Sequence, residues 1–197
     1  MPSESQGDQG SIYFGVDQSG QRAFIKIYHI GHPMTEAQIA FYQKFPNLHE
    51  YLNTPKFLGF VKNGDKIIGL ATSVIEGKDI VQIDTKLSTV QVKNFIASLL
   101  NFYLATGTVH GDLSETQIIK EEKTGKLFII DPLGDPYIKY GGEPITMNSE
   151  FNEILYRISG YLPKNSKVEL SAKVAAVMED LDISLNDLVS RFVSIPD

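Results

Sequence analysis

The chain has 197 residues, 42% hydrophobic and 21% charged, with a formal net charge of -6 and no cysteine. That length can bury one hydrophobic core, or two small lobes that share an interface. An acidic balance leaves no basic footprint for nucleic acid. Zero cysteines exclude a disulfide framework and a thiolate metal site. No apolar run approaches a membrane span, and the polar N-terminus is unlike a secretory signal, so the expectation is a cytoplasmic protein without nucleic-acid or membrane partners.

Residues 1–10 are polar and small, and alone they read as a floppy terminus. They contain Ser5-x-Gly7-x-x-Gly10-x-Ile12, and glycines so spaced let backbone N–H groups approach an anion without a Cβ in the way. Few residues precede this stretch, so a strand leading into it is expected to be missing or incomplete. Ser11–Val16 and Arg22–Tyr28 are β-rich runs joined by a turn at Asp17–Gly20. Alternation puts Phe24 and Lys26 on one face of the second run, with Ile25 and Ile27 on the other.

Pro33 to Phe45 reads as a helix with Thr35 as cap and Ile39, Phe41, Tyr42 and Phe45 as its apolar face. Thr54–Val61 and Lys66–Thr72 form a hairpin around Asn63-Gly64-Asp65, and Ser73–Gly77 reads as a strand end followed by a turn. A long helix follows over Thr89–Thr106, capped by Ser88 and ended by Gly107.

The most informative stretch is Val109-His110-Gly111-Asp112-Leu113-Ser114-Glu115-Thr116-Gln117, followed by a turn at Lys123–Lys126 and the apolar run Leu127–Ile130 that ends in Asp131. An aspartate closing an apolar strand is costly to bury unless donors or a metal satisfy it. Three helical stretches finish the chain, at Glu150–Ile158, Val168–Asp180 and Ser184–Phe192, and read as packing.

Taken together, the glycines, the strand lysine, the His-x-Asp and the amide five residues after that aspartate resemble the protein-kinase-like superfamily. So does the later Asp, with Gly134 three residues on. The likeness spans residues 5 to about 135. It implies an α+β, two-lobed fold for residues 1–197: a small antiparallel sheet plus one helix to about residue 75, then a reduced, mostly helical lobe from about 78 to 197. It further implies ATP and Mg2+ as cofactors. Asp112 would orient the attacking hydroxyl, and Gln117 and Asp131 would hold the metal. Gly7, Gly10 and Lys26 would contact the phosphates, and Ser73 and Ile75 would face the base through their backbones. Thr72 would be the gatekeeper, and His110 would support the backbone near Asp131. The partner of Lys26 stays open: Glu36 has the chemistry, whereas the hydrophobic register favours Gln38.

Several departures matter. His-Gly-Asp replaces His-Arg-Asp, Ser114 stands where protein kinases place a lysine, Gln117 replaces asparagine, and Pro132-Leu133 replaces phenylalanine. The leading expectation is a minimal Ser/Thr protein kinase acting on a protein substrate. A small-molecule phosphotransferase and a nucleotide-binding pseudokinase are the alternatives.

Overall fold

The computed structural model describes residues 5–7, 9–16, 20–111, 113–131, 150, 153, 154, 156–158 and 160–162. The chain divides into two compact units. The first is Met1–Glu50 with Pro55–Ile75, and the second is Tyr51–Thr54 with Glu76–Asp197.

The first unit is a five-stranded sheet of β1 (Ser5–Gly7), β2 (Gly10–Val16), β3 (Arg22–Tyr28), β4 (Phe57–Asn63) and β5 (Lys66–Ser73). Its order is β1-β2-β3-β5-β4, and every pairing is antiparallel. Strand β1, where a missing or incomplete lead-in is expected, is three residues long and pairs with β2 from Ser5–Ile12 to Gly7–Gly10.

Helix α1 covers Glu36–Lys44, shorter at its start than the expected 33–45. The reason is local. Thr35 Oγ1 accepts from Gln38 N–H at 3.1 Å while Gln38 Oε1 accepts from Thr35 N–H at 2.9 Å, a reciprocal cap that fixes the first turn after Pro33 and Met34. The helix is held by aromatic packing. Tyr42, only 3% exposed, stacks on Phe57 of β4 at 4.9 Å between centroids, and Phe60 closes the cluster at 5.0 Å from Phe57. Such pairs each contribute about 0.5–1.5 kcal/mol beyond the area they bury.

In the second unit, α2 (Thr89–Thr106) has the expected limits. Ser88 and Gln91 form another reciprocal cap, at 3.2 and 2.9 Å, and Gly107 ends the helix in the left-handed region at φ 68°. A second, three-stranded antiparallel sheet orders β6 (Gly77–Asp79), β7 (Ile118–Glu121) and β8 (Leu127–Ile129). The expected turn at Gly77 is therefore a short strand, paired with β7 from Gly77–Glu121 to Asp79–Ile119. Phe95, Ile96 and Leu99 of α2 are buried, as are Ile118 and Ile129 of the sheet.

Residues Tyr51–Thr54 belong to this second unit although α1 and β4 flank them in sequence. Ile129 N–H donates to Asn53 O at 2.9 Å, and Thr54 Oγ1 donates to Ile129 O at 2.8 Å. This segment thereby pairs with β8 on the strand that leads to Asp131. Glu150, Glu153, Ile154 and residues 156–158 are helical, within the predicted stretch 150–158. The helices expected at Val168–Asp180 and Ser184–Phe192 lie outside the described residues, as does the segment Asp135–Asn148.

Candidate functional site

In the first unit the candidate lysine sits mid-sheet. Lys26 is opposite Ile12 of β2 and Leu70 of β5. Two residues further along the same face, Tyr28 offers its ring to Lys26 Nζ at 5.0 Å, and Gly10 is the cross-strand partner of Tyr28. The glycine pair 7/10 and the lysine therefore share one sheet, with Gly10 one face-step from Lys26. Gly10 is a glycine for steric reasons also, since a Cβ there would lie 2.5 Å from Ile27 O. Gly69 answers the same need on the other side of β3, where a Cβ would collide with the carbonyl oxygen of Lys26 itself. Glycines on both flanking strands let the backbone close tightly around this lysine. Gln9 O accepts from His29 N–H at 3.0 Å and ties the β1–β2 connection to the end of β3.

Thr72, 6% exposed, is opposite Phe24 in the β3 register and so lies on the Lys26 face. Ser73 ends β5 with its backbone N–H donating to Lys56 O at 2.8 Å and its Oγ accepting from Lys56 N–H at 2.9 Å. Ile75 is the last residue of the first unit, so the two predicted base-facing residues stand at the end of β5 and at the boundary between units. Glu36 is exposed in the first turn of α1, where the helix dipole favours a carboxylate. Gln38, the alternative partner for Lys26, has its side-chain oxygen committed to the Thr35 cap.

The second unit brings the described candidates Gln117 and Asp131 to one junction with His110. A short 3-10 turn, Glu115–Gln117, leads into β7, and Gln117 O accepts from Ile130 N–H at 3.0 Å. That bond brings the amide-bearing residue beside the residue preceding Asp131. His110, 1% exposed, bonds through Nε2 to the backbone carbonyl of Asp131, the supporting role anticipated for it. The carbonyl accepts, so Nε2 carries the proton. Asp112 lies outside the described residues; Gly111 and Leu113 on either side of it are buried.

Gln117 has a second task. Its Oε1 accepts from Ser114 N–H at 2.8 Å, as Gln38 does for Thr35 and Gln91 for Ser88. A Ser/Thr-x-x-Gln spacing occurs at all three places and is a sequence signature of capping. An amide oxygen keeps a second lone pair, so this bond leaves Gln117 able to approach a cation. With Asp131 it offers only oxygen donors. That suits Mg2+, which takes one or two protein ligands and completes its shell with water and phosphate oxygens. Among the described residues, no group of three or more His, Asp or Glu side chains could hold a metal alone.

Two residues were missed in the sequence. Glu150, 8% exposed, accepts from Gly111 N–H at 2.6 Å. Burial pushes its carboxyl above the ordinary range, against the Gly111 hydrogen bond and the nearby His110, which pull it down. Arg157 places Nη1 3.0 Å from Glu115 Oε2 and Nε 2.7 Å from Glu153 Oε1, the latter an ion pair out of line for a hydrogen bond. Hence Glu150 and Arg157 hold the chain at Gly111 and at Glu115, before and after Asp112 in sequence. A cavity of about 300 Å³ elsewhere in the second unit is lined by Lys78, Asp84, Thr85, Lys120 and Glu122 among others, and by none of the candidate residues.

No family model matches the chain, and no curated protein matches it in sequence. Its fold is similar to solved kinase domains. The Mycobacterium tuberculosis PknI kinase domain aligns at a TM-score of 0.58 and 11% identity, covering 80% of this chain and 71% of that one. The Cydia pomonella granulovirus kinase PK-1 aligns at 0.60 and 16% identity, covering 81% and 68%. The chain has a protein-kinase-like fold, the reduced two-lobed α+β arrangement that the sequence motifs imply. No helix among the described residues is long and apolar enough to cross a membrane.

Proposed function

We propose that the protein is an ATP-dependent phosphotransferase, a minimal Ser/Thr protein kinase that moves the γ-phosphate of Mg-ATP to a protein hydroxyl. The observation that carries this reading is the junction at Asp131. His110 bonds to the backbone carbonyl of Asp131, and the backbone carbonyl of Gln117 accepts from Ile130 N–H beside it, so two separate segments converge on the backbone at one strand-end aspartate.

In this reading Lys26 pairs with the α- and β-phosphates, and Gly7 and Gly10 leave room for the phosphate chain. Ser73 and Ile75 meet the base through their backbones. Glu36 turns Lys26 toward the phosphates, and Asp112 accepts hydrogen-bonding from the attacking hydroxyl and aligns it. Gln117 and Asp131 hold Mg2+, which supplies charge neutralisation on the phosphate oxygens.

A second reading, a pseudokinase that binds nucleotide without turnover, draws on Gln117: an oxygen already capping Ser114 is a weaker metal ligand than a free one. A small-molecule acceptor is the third outcome. The test is labelled γ-phosphate transfer by the purified protein, alone and then with a cell lysate separated into macromolecular and small-molecule fractions. Label in protein bands that is lost in Asp112→Ala, while Mg-ATP still binds, supports the kinase. Label confined to the small-molecule fraction gives the phosphotransferase alternative. Binding without Asp112-dependent label in either fraction gives the pseudokinase.

A further inference from the structure

The Glu115–Gln117 turn buries none of its three side chains, and lies between the buried Leu113 and Ile118. Its fixings are polar. Gln117 N–H donates to Ser114 O at 3.1 Å, Ser114 N–H to Gln117 Oε1 at 2.8 Å, and Ile130 N–H to Gln117 O at 3.0 Å. Those bonds lie at the ends of the turn. Arg157, forty-two residues on, also reaches the turn itself, at 3.0 Å from Glu115 Oε2.

The guanidinium is not a loose surface charge. Glu153, one helical turn earlier, lies 2.7 Å from Nε and restrains the side chain along its own helix, so less freedom is lost in reaching Glu115. Both partners are about a quarter to a third exposed, at 25% and 31%. A pair so exposed adds little to global stability. Its consequence is local: it restrains a turn that buries no side chain of its own.

We propose that Arg157 is a positioning residue for the candidate metal site, gripping Glu115 and thereby setting the turn from which Gln117 faces the Asp131 junction. The metal half of this inference rests on the function proposed above; the grip on the turn does not.

The experiment therefore has two arms. In the first, amide hydrogen exchange is followed at Gln117 and Ile130 in wild type, in Arg157→Met and in the charge swap Glu115→Arg with Arg157→Glu. Arg157→Met should raise exchange at both amides about tenfold, with α2 amides unchanged, and the swap should recover at least half of that protection. Unchanged exchange in Arg157→Met overturns the inference. In the second arm, the Mg2+ concentration that half-saturates nucleotide binding is measured. Arg157→Met should raise it several-fold while leaving metal-free nucleotide affinity alone, and the swap should restore it. A rise in exchange with an unmoved Mg2+ midpoint overturns the metal role. Absence of Mg2+-dependent binding in the wild type overturns the function proposed above, whereas the exchange arm still reports the grip. Melting curves confirm that each variant is folded.

Discussion

Glu150 reaches back thirty-nine residues to accept the backbone N–H of Gly111 at 2.6 Å, in a buried setting. An amide donor at this point has no strand or helix partner to take it, since Gly111 lies in irregular backbone at φ 86°. A carboxylate satisfies it at the cost of its own desolvation, and the two effects oppose each other in the Glu150 pKa.

The sign of the pH dependence follows from that balance. Burial raises the folded-state pKa of Glu150 above the ordinary carboxylate range, so the folded protein holds this proton more tightly than the unfolded chain. The contribution of Glu150 to stability is full below the unfolded value and is lost as pH rises through the folded one. Glu150→Gln cannot titrate, yet keeps an oxygen for Gly111. The difference in melting temperature between wild type and Glu150→Gln should shift against wild type as pH rises from about 4 to 7. A difference that is flat, or of opposite slope, would contradict the assignment. Glu150→Ala should cost more at every pH, about 1–3 kcal/mol, because it leaves the Gly111 donor unpaired.

Tight approach of β5 to β3 gives a prediction at Gly69. A Cβ there collides with the Lys26 carbonyl, a backbone atom that cannot swing away. Gly69→Ala should destabilise the protein by about 1–3 kcal/mol, as overpacking does. It should also weaken the thermal shift by Mg-ATP, because the strand carrying Lys26 must move. A variant that melts like wild type and shifts like it would mean that β5 adjusts freely.

Helix α1 separates two neighbouring residues. Gln38 is committed to the Thr35 cap, so Gln38→Ala should lower stability by about 0.5–1 kcal/mol and leave the proposed phosphoryl transfer by the folded protein near wild type. Glu36 is exposed and makes no part of that cap, so Glu36→Gln should leave stability nearly unchanged. If it orients Lys26 during transfer, turnover should fall tenfold or more. The reversed ranking in a steady-state assay would return the pairing role to Gln38.

These elements also mark where sequence reading succeeds. The limits of α2 follow from Ser88 and Gly107, whose signals act over three or four residues. Lys26 and its face follow from strand alternation, and the β3 pairing keeps that order. The strands β1 and β6 were not legible because three residues carry no periodicity; each exists only through its partner. Glu150 was hidden for a related reason. An acid at the start of a helical stretch reads as a dipole complement, and its bond to Gly111 is a tertiary fact. Gln117 is the instructive middle case, since the Ser-x-x-Gln spacing that signals its cap was present alongside the kinase-like spacing from Asp112.

That double role makes Gln117 the sharpest site for mutation. Its Oε1 caps Ser114 at 2.8 Å, and its backbone oxygen is tied to Ile130. Side-chain truncation leaves the backbone bond in place, so Gln117→Ala should keep the junction with β8 and lose only the cap, about 0.5–1 kcal/mol. Gln117→Glu keeps the length and adds a charge that Mg2+ favours, but an ionised carboxylate has no donor to return to its neighbours. If the amide oxygen is a metal ligand, Gln117→Ala should raise the Mg2+ concentration needed for nucleotide binding and for transfer, whereas Gln117→Glu should lower or preserve it. If Gln117 is a cap alone, Gln117→Ala should lower the melting temperature, Gln117→Glu should keep it because a carboxylate oxygen also accepts from Ser114 N–H, and both should leave the Mg2+ midpoint where wild type has it. A calorimetric Mg2+ titration at fixed nucleotide, with all three proteins in one buffer, distinguishes these patterns. The first is expected, because the second lone pair of the capping oxygen remains available to a cation at the junction with Asp131.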